Sequence, residues 1–144
     1  MHNIIFADTN VFLDAFLKRK SGKDCKQILL LAEKSRIKLY TSSSCLMTIM
    51  YFLQKFSMPV HLVRKTVVDL LQFVDLPNMS KDDFLNAMNT DFQDLEDAVL
   101  YHGASQIKGI DCFVTSNIRD FEKVSPILPV ISPEKFIALM TKPE

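Results

Sequence analysis

Three separated stretches carry oxygen-bearing side chains where an apolar run gives way: Asp8-Thr9-Asn10, Asp94 with Asp97, and Thr115 to Asn117 with Asp120. Carboxylates gathered in one pocket repel, and each raises the pKa of the next unless a cation sits among them. Hard oxygen donors that leave room for water suit Mg²⁺ or Mn²⁺. Such an ion polarises a phosphodiester and lowers the pKa of water, which makes a nucleophile. This chemistry needs acids from several chain segments and no glycine loop for a cofactor. Neither G-x-G-x-x-G nor a Walker loop occurs in the sequence.

Each stretch also has a plainer reading. Asp8 before an apolar run is a fitting helix cap. Asp94, Glu96 and Asp97 sit where the first turn of a helix favours acids, and for Asp94 and Glu96 that role is the expected one. Thr115, Asn117 and Asp120 suit an ordinary strand-to-helix turn. The joint arrangement, rather than any one stretch, raises the metal reading.

The elements between these stretches have to position them. "NIIFA" (Asn3 to Ala7) is an uninterrupted apolar run, as in a central parallel strand covered on both faces. Ile37 to Ser42, Phe73 to Leu76, Cys112 to Ser116 and Leu128 to Ser132 are the other strand signals. Between them apolar residues recur at helical spacing: Cys25, Ile28, Leu29 and Ala32; Cys45, Ile49, Phe52 and Leu53; Val60, Val63, Val67 and Leu71; Leu95, Ala98, Val99 and His102. Asp94 and Asp97, three residues apart, are expected to share one face near the start of the last of these helices. Ser80 with Asp83 resembles a capping box, and Pro133 opens a final helix to about Met140. Strands alternating with helices predict an α/β fold. The expected architecture is a three-layer α/β/α sandwich with a mostly parallel sheet of about five strands. Ligands in such sheets collect beyond the carboxyl ends of the strands, where the strand order reverses.

The length of 144 residues fits one domain, residues 1–144, and an apolar fraction of 48% supports a packed core. No apolar run reaches the ~18 residues of a membrane span. Cys25, Cys45 and Cys112 match no zinc or disulfide pattern, and a reduced, cytoplasmic setting is expected. The net charge is zero, yet residues 1–72 hold 11 basic and 5 acidic residues and residues 73–144 hold 6 and 12. An acidic cluster beside a basic rim suits a metal site that serves a polyanion, although differing solvated helix faces would produce the same split. Lys18, Arg19, Lys20, Lys23 and Lys26 form a basic run, and Arg119 lies beside Asn117. Lys18, Arg19 and Arg119 are expected phosphate contacts if they face the site. His2, His61 and His102 are dispersed, and His102 on an apolar stripe reads as a core histidine.

The order "ADTNVFLD", then "DFQDLEDAVLYHGASQIKGIDCFVTSNIRDF", then "PVISPEKFIAL" resembles the PIN domain nearly end to end. The resemblance implies a metal-dependent endoribonuclease, and for many small bacterial members a VapC-type toxin paired with an antitoxin. It places Asp8 and Asp97 on two metal-binding acids. Asn117 falls where a third often stands, Asp120 on a nearby acid, and Asn10 and Thr115 on supporting positions. It implies Mg²⁺ or Mn²⁺, an RNA substrate, an antitoxin partner and a homodimer. The helix after the second strand usually carries an acid, and here the matching position is Thr48. That departure keeps a second reading open: a non-catalytic PIN-like module that binds RNA or a protein.

Overall fold

The computed structural model describes residues 3–121 and 127–141; His2 lies outside them. Five strands form the sheet: β1 (Asn3–Ala7), β2 (Ile37–Tyr40), β3 (Val74–Asp75), β4 (Cys112–Val114) and β5 (Val130–Ile131). Their order is β3-β2-β1-β4-β5, and every pairing is parallel. The sheet is therefore parallel throughout, and every strand but β1 is shorter than the segment that signals it. Chain order steps outward from β1 to β3 on one side and resumes at β4 on the other. The reversal falls between β1 and β4, which places the ligand crevice at their carboxyl ends.

The helices are α1 (Thr9–Phe16), α2 (Gly22–Glu33), α3 (Ser43–Lys55), α4 (Val60–Leu70), α5 (Lys81–Ala87), α6 (Leu95–Ser105) and α7 (Pro133–Thr141), with a 3-10 turn at Ile118–Asp120. Alternation along the strands divides the core into two layers. Ile5, Ala7, Ile37, Leu39, Val74, Cys112 and Val114 point into one cluster with α1 to α4 and Phe136 of α7. Phe6 and Phe113 point the other way, into a cluster with Phe92, Ala98, Leu100, Tyr101 and Phe121 around α6. Phe6 and Phe113 are register partners and stack at 5.2 Å. Tyr101 seals that face: its buried hydroxyl donates to the Leu128 carbonyl at 2.7 Å and accepts from the Leu128 amide at 2.8 Å. These packed faces make the three-layer sandwich and hold β1, β4 and α6 in fixed relation.

The expected capping box is complete. Ser80 accepts from the Asp83 amide, and the Asp83 carboxylate accepts from the Ser80 amide at 2.8 Å. The same carboxylate meets His102 Nδ1 at 3.0 Å. So His102 is a satisfied, partly buried side chain that ties α6 to the start of α5.

Candidate metal centre

β1 and β4 run out together. Ala7 pairs with Val114, and the ladder continues one step further, as Asp8 N donates to the Val114 carbonyl at 3.0 Å. The next side chains on both strands are polar, Asp8 and Thr115, and both are buried. Thr115 Oγ1 donates to Asp8 Oδ2 at 3.1 Å. It accepts in turn from Asn10 Nδ2 at 3.1 Å and from the Asn117 amide at 3.1 Å. One donor and two acceptors use the whole capacity of a hydroxyl. Asn10 completes the knot: Nδ2 also reaches Asp8 Oδ2 at 3.4 Å, and Oδ1 accepts from the Ser116 amide at 3.0 Å.

Asp8 is also the N-cap of α1, accepting from the Thr9 amide at 2.8 Å. The capping role and a place at the crevice coexist. Asp94 behaves likewise, with a difference from the expectation that it lies on the helix. Its backbone is extended, at φ −90° and ψ 111°, so it caps α6 from outside and accepts from the Asp97 amide at 3.1 Å. A carboxylate that satisfies the first amides of a helix is held by geometry and by the helix dipole. Both helix N-termini thus steady negative charge at the crevice.

One carboxylate oxygen from each of Asp94, Asp97 and Asp120 falls within a group no wider than 4.8 Å. Among the described residues, none of the ion pairs involves these three acids. Burial pushes Asp97 up to about 7, and the charges of Asp8, Asp94, Asp120 and Glu96 add to it. Burial also raises Asp8, opposed by the Thr9 and Thr115 hydrogen bonds and helped by the charges of Glu96 and Asp94. Burial is the larger cause in both, and the neighbouring acids push the same way, so a cation placed among them would favour the ionised forms. The donors are all hard oxygens, so the residues fit Mg²⁺ or Mn²⁺.

The remaining expected residues fall as follows. Asn117 is exposed and donates through Nδ2 to Asp120 Oδ2. In this arrangement it orients Asp120. Arg119 is exposed on the 3-10 turn, and Lys18 and Arg19 are exposed after α1. Thr48 sits on α3 with its hydroxyl donating to the Ser44 carbonyl at 3.0 Å. One turn earlier, Cys45 is buried with its thiol pushed up, first by burial and further by the Asp8 charge. α3 therefore brings a buried cysteine within reach of the Asp8 charge and a threonine, not an acid, at position 48. Glu96 is exposed, yet its charge raises both Asp8 and Asp97, so it belongs to the field of the site.

Asp14 carries no role in the sequence reading, and Ser116 stands there only as one of the polar residues that end β4. Ser116 Oγ donates to Asp14 Oδ2 at 3.1 Å. The spacing of Asn10 and Asp14, four residues apart on a helix, was the available signal.

Comparison with known proteins bears on the family and the fold. The family model described as the PIN domain matches residues 5–119. The chain belongs to the PIN domain family. No curated protein matches it in sequence. Among solved structures it is similar in fold to a chain of VapBC2 from Rickettsia felis, crystallised bound to a DNA fragment from their promoter. The TM-score is 0.65 at 19% identity, over 90% of this chain and 98% of that one.

Proposed function

We propose that this chain is a metal-dependent endoribonuclease of the VapC toxin type, restrained by an antitoxin. The observation that supports it best is the convergence of one carboxylate oxygen each from Asp94, Asp97 and Asp120 within 4.8 Å; Asp8 lies outside that group, near enough for its charge to raise Asp97. Asp8, Asp97 and Asp120 would hold Mg²⁺ or Mn²⁺, with Asp94 as a further carboxylate. When bound, such an ion neutralises charge on a phosphodiester and lowers the pKa of water. The chain's own groups do the rest. Thr115 and Asn10 fix Asp8 Oδ2, Asn117 orients Asp120, and Asp94 holds the first turn of α6 so that Asp97 faces the crevice. Arg119, Lys18 and Arg19 offer cations to RNA phosphates.

The exposed apolar side chains suit protein partners. Met47 is 69% and Tyr51 59% exposed on α3, while Phe84, Leu85 and Met88 are exposed on and just after α5. An antitoxin and a second copy of the chain are the two partners this reading supplies. A cytoplasmic setting goes with it. Among the described residues no helix is long and apolar enough to cross a membrane.

The test is cleavage of single-stranded RNA in Mn²⁺ by the wild-type chain and by Asp97→Asn. The variant is expected to lose about a hundredfold or more. Equal cleavage by both removes the assignment. A second reading, a PIN-like module that binds RNA or a protein without cutting, is favoured by Thr48, whose hydroxyl is committed to its own helix. Saturable RNA binding with no cleavage at any Mn²⁺ concentration selects it.

A further inference from the structure

Asp14 lies on α1, one turn after Asn10, and its carboxylate is buried, at 8% exposure. Its two oxygens have different partners. Oδ2 accepts from Ser116 Oγ at 3.1 Å, and Oδ1 meets Arg19 Nε at 3.4 Å. The Arg19 side chain stays 47% exposed, so core packing does not explain why it is held.

The turn that returns Arg19 to Asp14 is wound tightly. The Arg19 amide donates to the Asp14 carbonyl at 3.0 Å, and the Gly22 amide to the Arg19 carbonyl at 2.7 Å. Lys18 takes φ +52° to allow this, a left-handed conformation that an L side chain disfavours. A Cβ on Gly22 would stand 2.8 Å from the Asp14 carbonyl oxygen, so only glycine admits the close approach. The same left-handed closing turn ends α2 at Ser35 and α3 at Ser57, so it is a helix C-cap that here delivers Arg19 to Asp14.

A relay of polar contacts runs from Arg19 to Asp8. Arg19 meets Asp14, Asp14 meets Ser116, the Ser116 amide meets Asn10, and Asn10 meets Asp8. The ion pair engages the guanidinium at Nε and leaves its outer N–H groups open to a phosphate. We infer that Asp14 is a positioning residue, which holds Arg19 as a phosphodiester-binding group at a fixed place beside the acidic crevice. The inference rests on the RNA reading above and adds to it a residue that governs how the polyanion is held.

The test is a double-mutant cycle read by fluorescence anisotropy. The probe is a short fluorescein-labelled single-stranded oligonucleotide with 2′-O-methyl sugars, titrated in Mn²⁺ at several salt concentrations. Arg19→Ala is expected to weaken binding about fivefold to tenfold. It should also lower the slope of log Kd against log salt by about 0.7, the value for one phosphate contact on a single strand. Asp14→Asn, which can still accept from Ser116, should weaken binding in the wild-type background and add nothing in the Arg19→Ala background. Equal losses in both backgrounds, or none in either, overturn the positioning role while leaving the RNA reading intact. A wild-type chain that does not bind the oligonucleotide overturns both.

Discussion

Thr115 Oγ1 donates to Asp8 Oδ2 at 3.1 Å across 107 residues of sequence. This bond joins the carboxyl ends of the two central strands at the point where the strand order reverses. It is buried, and the hydroxyl also accepts from Asn10 and from the Asn117 amide. Thr115→Val keeps the shape and removes all three bonds. The Asn117 amide is then left without its acceptor, and about 1–3 kcal/mol of stability is expected to go. Asp8 loses one of the hydrogen bonds that oppose its raised pKa, so it should ionise less readily still. Denaturant unfolding checks the first effect, and a weaker Mn²⁺ titration checks the second.

The carboxyl of Asp97 gives the metal-free protein a definite pH dependence. Its pKa rises on folding from the ordinary 3.8 to about 7. A group whose folded pKa is raised contributes stability below the unfolded value and loses it as pH climbs through the folded value. Asp8 is shifted in the same direction. Metal-free protein should therefore melt at progressively lower temperature as pH rises from about 4 to about 7. A bound divalent cation favours the ionised form, so Mn²⁺ should raise Tm more on the alkaline side of this window than on the acidic side. Scanning calorimetry with and without Mn²⁺ measures both. Asp97→Asn should flatten the metal-free slope.

Two substitutions separate the roles of Asp94. Asparagine caps a helix about as well as aspartate, whereas alanine does not. Asp94→Asn should keep thermal stability and weaken Mn²⁺ binding. Asp94→Ala should lose the cap as well, at a cost of about 1 kcal/mol. Equal Mn²⁺ affinity in Asp94→Asn and wild type would reduce Asp94 to a cap.

Thr48 is the position where the family resemblance leads one to expect an acid. It stands one helical turn beyond Cys45, whose buried thiol feels the Asp8 charge. Thr48→Glu would supply a carboxylate at the position where the family resemblance implies one. The affinity for Mn²⁺ is expected to rise about tenfold, because ligand charge tunes divalent binding. RNA cleavage should accelerate with it. A titration indistinguishable from wild type would place position 48 outside the site.

Much of this arrangement is legible in the sequence. The apolar run Asn3 to Ala7 ending at Asp8 reads as a buried parallel strand, and it is the middle strand of the sheet. The capping box at Ser80 and Asp83 reads off three residues of spacing. The extended backbone of Asp94 does not, since helical periodicity alone cannot fix where a first turn begins. Least legible is Asp14. Its partner Ser116 lies 102 residues away, and the contact exists only because β4 lies beside β1. Nothing in the local sequence around either residue specifies that adjacency. The positive φ of Lys18 is hidden for a related reason: glycine or asparagine would signal such a turn, and lysine does not.

Oxygens from distant parts of the chain are expected to form one divalent-cation site. Isothermal titration of metal-free protein with Mn²⁺ tests it most directly, run on wild type, Asp8→Asn and Asp97→Asn. Wild type should show one saturable binding event, with proton release that grows as the buffer is made more acidic toward the Asp97 pKa, and both variants should lose that event. A wild-type titration with no saturable heat, or variants that bind as wild type does, would contradict it.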